Sequence, residues 1–148
     1  MTSRFASSKS ASRVRADDQR KEIPRHDPIA APHLIVARLI AAAGAVLLAC
    51  AVALAAYAAH GVDAAAQSGL YIASAFAFGH GLALAALAPR LRSRLAIMVL
   101  ITMLSGTLLF CGGLIASALF GINAGVAPIG GSLLILAWLS WAWVALRG

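Results

Sequence analysis

The residues of this chain that could take part in chemistry are few and widely spaced. His80 stands alone inside an uncharged stretch; His60, Asp63 and Gln67 fall together in AAHGVDAAAQSG; Cys50 and Cys111 lie in apolar surroundings; and GVAPIGG runs from Gly125 to Gly131. An ionisable side chain deep in an apolar run is costly, so His80 is a functional candidate by default. Its simplest role is a neutral imidazole hydrogen-bonded to Ser105, Thr102 or a carbonyl, which would fix the second apolar segment against the third. A proton relay or a ligand site is the alternative. Haem or metal ligation would need a second ligand at equal depth, and His60 lies roughly 15 Å away by helix rise. His60 and Asp63 are three apart, close enough on one helical turn to share a hydrogen bond. One His and one carboxylate fall short of a metal site, so His60, Asp63 and Gln67 read as a cap and turn cluster, with an outward-facing site as the alternative. The glycine stretch lacks the Lys and Ser/Thr of a phosphate-binding loop. The two cysteines form no CxxC and are expected to be small buried packing residues. No Ser/His/Asp or Cys/His set falls at compatible depths, so neither catalytic residues nor cofactors are expected.

The elements that must position these groups are membrane spans. Of 148 residues, 61% are hydrophobic and 11% charged, a balance that leaves too little polar surface for a water-soluble domain. Four uncharged runs are each long enough to cross a hydrocarbon core of about 30 Å. They lie between Arg38 and His60, Gln67 and Arg90, Arg94 and Asn123, and Asn123 and Arg147. The spacing predicts helices over 38–59, 69–89, 95–120 and 128–146, with Pro128 in the first turn of the last, where its missing N–H is harmless. Absence of period-2 alternation argues against a β-barrel. Short links make neighbouring helices antiparallel. The expected fold class is therefore all-α, an integral membrane four-helix antiparallel bundle preceded by a disordered basic tail over residues 1–33.

Charge placement fixes the count. The net charge is +7, from 12 Lys and Arg against 5 Asp and Glu. With four spans every basic residue falls on one side: the tail, Arg38, the link carrying Arg90, Arg92 and Arg94, and Arg147. The positive-inside rule makes that side the cytoplasm, with both termini inside the cell inner (plasma) membrane. The Arg- and Ser-rich opening MTSRFASSKSASRVR keeps a mitochondrial inner membrane open as the alternative. The same asymmetry makes topology, not nucleic acid, the reason for the positive charge. Trp138, Trp141 and Trp143, just before Arg147, are expected in the inner aromatic belt.

Helices in lipid associate through close backbone approach at small residues. Three rows at four-residue spacing suggest the seams: Ala41, Ala45, Ala49 and Ala53; Ala73, Ala77, Gly81 and Ala85; and Ser105, Gly113, Ser117 and Gly121.

The segments AAYAAHGVD (55–63), HGLAL (80–84), SGTLLFCGGL (105–114) and GVAPIGGSLLILAW (125–138) occur in an order and spacing that resemble the domain-of-unknown-function 423 family. These are the YgdD-like small membrane proteins related to transmembrane protein 256. The likeness covers roughly residues 38–146. It implies a multi-span membrane protein without an established activity, sharing Ala59, His60, Gly61, His80, Ser105, Gly106, Pro128, Gly130 and Gly131. The chain departs from that pattern at AFAFG before His80 and at Ala127 before Pro128.

The functional expectation is a small multi-pass protein with a structural or interaction role and no enzymatic activity. Its partners are the lipid bilayer and, through helix faces, a second copy or other membrane proteins. The alternative is a small transporter or proton-coupled carrier using His80. An enzyme would need a polar cavity joining His80 to His60 and Asp63.

Overall fold

The computed structural model describes residues 30–91, 93–123 and 125–147. Nearly all of the expected basic tail lies outside them. The described chain forms four helices: α1 (Ala30–His60), α2 (Ala64–Leu87), α3 (Arg94–Phe120) and α4 (Val126–Arg147), with a 3-10 turn at Ala88–Arg90 between α2 and α3. All four are long and apolar enough to cross a membrane. Large apolar side chains point outward along each of them, among them Val46, Ile72, Ile101 and Leu136. Such faces suit hydrocarbon and not water.

Helix ends follow from local chemistry. Asp63 caps α2, its carboxylate accepting from the Ala66 N–H at 3.0 Å, which starts the helix five residues before the expected position 69. Ser93 caps α3 in the same way, accepting from Ala96 N at 3.1 Å. Pro89 converts the end of α2 into the 3-10 turn, so the regular helix stops at Leu87. Gly121, at φ 66°, closes α3: its N–H bonds to Ser117 O and that of Ile122 to Ala116 O. The 5→1 bond from Gly121 is that of an αL stop, whose positive φ a Cβ would strain. Pro128 falls in the first turn of α4 as expected.

The α1–α2 seam repeats every seven residues. Gln67 Nε2 donates to Ala58 O at 3.0 Å, Ser74 Oγ donates to Ala51 O at 2.8 Å, and Gly44 faces Gly81. A Cβ on Gly44 would lie 2.7 Å from Gly81 O and from Ala85 N, so the two backbones touch. The row expected on α2 is therefore found, with Ala73, Ala77 and Gly81 buried. The row expected on α1 is not: Ala45, Ala49 and Ala53 are exposed, and Ala37, Gly44, Ala51 and Ala58 take the seam. On α3 only Gly113 holds its expected place, against Ala127; Ser105, Ser117 and Gly121 are exposed. The α3–α4 crossing is instead made by Gly106 and Gly130.

Two clusters form the core. Ile40, Leu84, Leu100, Met103, Leu134 and Ala137 join all four helices toward the arginine-bearing end. Ala51, Ala73, Ala77 and Cys111 join α1, α2 and α3 toward the other. Cys111 is buried, its thiol 3.3 Å from Ala73 O, whereas Cys50, expected inside, is exposed.

Candidate functional site: the groove at His80

His80 precedes Arg90 by ten residues, about 15 Å of helix rise, which is half the thickness of a hydrocarbon core. Small residues on its own helix let α2 sit close to α1 and α3. The imidazole, half-buried, points over α3 toward α4. It lines a groove of about 600 Å³, open along one side, with Phe76, Phe110, Gly131, Ile135 and Trp138 among its walls.

Both ring nitrogens have partners. Nδ1 lies 2.8 Å from the Phe76 carbonyl, and the indole Nε1–H of Trp138 donates to Nε2 at 3.2 Å. Since an indole only donates, Nε2 accepts, and the tautomer with its proton on Nδ1 satisfies both contacts. Phe76 stacks beside the imidazole with centroids 5.6 Å apart and meets Phe110 at 4.5 Å. With both nitrogens engaged, His80 cannot accept a proton or bind a metal at Nε2 without giving up Trp138. In hydrocarbon such an interhelical bond contributes on the order of 0.6 kcal/mol, up to about 1.7.

His80 is thus tied to a carbonyl, one of the expected partners, but neither to Ser105 nor to Thr102. Ser105 is exposed on α3, and Thr102 donates to its own Met98 carbonyl at 3.0 Å. The α2–α3 register set by Cys111 and Ala73 does bring Leu104 level with His80, the depth expected for a partner, but Ser105 lies on an exposed face of α3. Trp138 is the partner that sequence reasoning missed. It lies nine residues before Arg147, about 14 Å deep, which is too deep for the interfacial belt and level with His80. Counting depth from the two arginine ends would have paired them. Trp143 fits the belt, with the Arg147 guanidinium 4.2 Å above its ring.

The other candidates do not join this site. His60 ends α1 on the surface, and the Asp63 carboxylate is spent on the α2 cap and not on His60. Asp63, Ser68, Gly69 and Ser117 border a separate recess of about 340 Å³ that shares no residue with the His80 groove. Gly130 is buried in the α3–α4 crossing, while Gly131 lines the groove. Among the described residues no three His, Cys, Asp or Glu side chains converge as a metal site would require. Among the same residues no buried side-chain nitrogen or oxygen lacks a partner.

Known proteins match this chain at the family level alone. No curated protein and no solved structure matches it. A family model described as "Protein of unknown function (DUF423)" matches residues 54–131, just over half of the chain. The match is narrower than the likeness read from the sequence, beginning within α1 and ending at Gly131, before Trp138. It takes in His60, Asp63, His80, Ser105 and Gly130, and with it the chain is shown to belong to the DUF423 family.

Proposed function

We propose that this chain is a small non-enzymatic protein of the cell inner (plasma) membrane, with both termini cytoplasmic, that acts by associating with itself or with other membrane proteins. The observation that carries this reading is where the polar side chains inside the spans go. Ser74, Thr107 and Ser132 all donate to helix carbonyls, as do Gln67 and Thr102. Gln67 and Ser74 tie α2 to α1, whereas Thr102, Thr107 and Ser132 are satisfied within their own helices, which leaves few polar groups free for a solute path. The exposed apolar faces of α1 and α4 supply the surface for association, and the single-sided basic residues supply orientation without any nucleic-acid partner. Reconstitution in liposomes tests it: flux of protons or solutes should equal that of empty liposomes, and a specific flux would reject the proposal.

A carrier using His80 has one observation in its favour, namely that the imidazole lines an open groove and is not sealed. Against it stand the groove's apolar walls and its separation from Asp63. Flux that falls in His80→Ala would favour the carrier; equal flux in wild type and variant removes it.

A further inference from the structure

We infer that the arginine-bearing end of α3 and α4 holds one anionic phospholipid, its acyl chain in a groove between the two helices and its phosphate on Arg94 and Arg147. The groove, about 410 Å³, is lined by Leu95, Leu136, Leu139, Ser140 and Trp143. That volume is in the range of small-molecule sites. Its α4 lining runs from Leu136 to Trp143, about 10 Å of helix rise, and Arg147 follows one turn further on. Its lining is apolar apart from the Ser140 hydroxyl and the Trp143 indole, and Leu95 and Trp143 place it toward the arginine-bearing end of both helices.

Two arginines adjoin residues of that lining. Arg147 lies over the ring of Trp143, itself part of the wall, and Arg94 directly precedes Leu95 with an exposed side chain. Arg94 is the first residue of α3, and no acidic residue occupies that helix's first turn. A cation at a helix N-terminus opposes the helix dipole and is unfavourable there. An anion bound there would answer both the dipole and the guanidinium. Topology alone accounts for arginines on this side of the membrane. It does not account for one of them lying over a wall residue, Trp143, while another directly precedes Leu95 of the same groove. The one acidic residue among the described residues, Asp63, caps α2 at the opposite end of the bundle, so no carboxylate among them supplies the missing charge.

The inference rests on the membrane embedding and not on the non-enzymatic reading, which a flux assay tests separately. The experiment is native mass spectrometry of the full chain released from micelles containing equal amounts of phosphatidylglycerol and phosphatidylcholine. Wild type should retain one phosphatidylglycerol in preference to phosphatidylcholine. An arginine near an anionic headgroup strengthens binding about fivefold, so Arg94→Gln with Arg147→Gln should weaken retention about twenty-five-fold. Arg38→Gln removes a charge at the same end from α1, which contributes nothing to the groove, and should stay within about twofold of wild type. Ser140→Phe fills the groove with every charge intact and should lose the lipid, while an unchanged circular-dichroism melt shows that it folds. Equal retention of both lipids would overturn the inference, as would an Arg38→Gln effect matching the double variant or a Ser140→Phe protein that keeps its lipid. Wild type retaining no lipid, because acidic residues of its own N-terminal segment take the place, would overturn it too.

Discussion

Gly130→Ala gives the sharpest test of the packing. A Cβ at Gly130 would overlap the Phe110 backbone nitrogen and lie 2.8 Å from Gly106 O and from Phe110 Cα, where ordinary contact begins at 3.4 Å. The helices must therefore part by at least 0.6 Å at this crossing (3.4 minus 2.8). Overpacking of this kind costs about 1–3 kcal/mol. A gap of 0.5–1 Å forfeits roughly a quarter to a half of the dispersion energy of the contacts it opens. Alanine's better helix propensity returns up to about 1 kcal/mol. The net expectation is a loss of about 1–2 kcal/mol. Unfolding by SDS titration in mixed micelles, followed by far-UV circular dichroism, measures it. Two glycines serve as controls. A Cβ on Gly131 meets only the Phe110 ring at 3.6 Å, and one on Gly112 meets nothing within 4 Å. Both alanine variants should be neutral or slightly stabilised. If Gly130→Ala unfolds at the same SDS fraction as those two, the close α3–α4 approach is wrong.

Ser74→Ala removes the buried hydroxyl that bonds to Ala51 O and should cost about 0.6–1.7 kcal/mol in the same titration. A double-mutant cycle of His80→Ala and Trp138→Phe should return a coupling of about 0.5–1.5 kcal/mol, and a coupling of zero would deny the indole–imidazole bond. Asp63→Ala should destabilise by about 1 kcal/mol through loss of the α2 cap, with Asp63→Asn retaining most of it. A lipid-soluble maleimide should label Cys50 in the folded protein and leave Cys111 unmodified until SDS unfolds it. Cysteines introduced at Ser93 and Asn123 should react with an impermeant maleimide from opposite faces of oriented vesicles.

Hydropathy and charge made the number of helices and their antiparallel order legible, because long apolar runs bounded by arginines admit few other arrangements. What they left open was rotation about each helix axis. In α1 the buried set Ala37, Gly44, Ala51, Ala58 and the exposed set Ala42, Ala49, Ala56 have the same period and nearly the same residues. Only the position of α2 decides between them. One residue is 100° of rotation, which separates Ser105 of the expected row from Gly106, the residue that makes the crossing. His80 was legible as the polar residue at mid-depth. Its partner was not, because an indole near a helix end reads as an interfacial anchor until its depth is counted. The cap is legible in the cluster of His60, Asp63 and Gln67, whereas the early start of α2 is hidden by AAAQS, which reads equally well as link or first turn.

The three residues Gly61, Val62 and Asp63 that join α1 to α2 carry a consequence for how the hairpin assembles. Because the small residues recur every seventh position, sliding α2 by one repeat, about 10 Å, would bring glycine, serine and alanine opposite one another again at little energetic loss. A three-residue segment reaches about 10 Å at most, and crossing between adjacent helix axes already uses that length. The tether therefore acts as an end-stop, and fidelity of assembly is stored at the rim of the hairpin while its strength is stored along the seam. Lengthening the tether with a few glycines would set free a ladder of near-equal alignments, a failure by multiplicity and not by weakness.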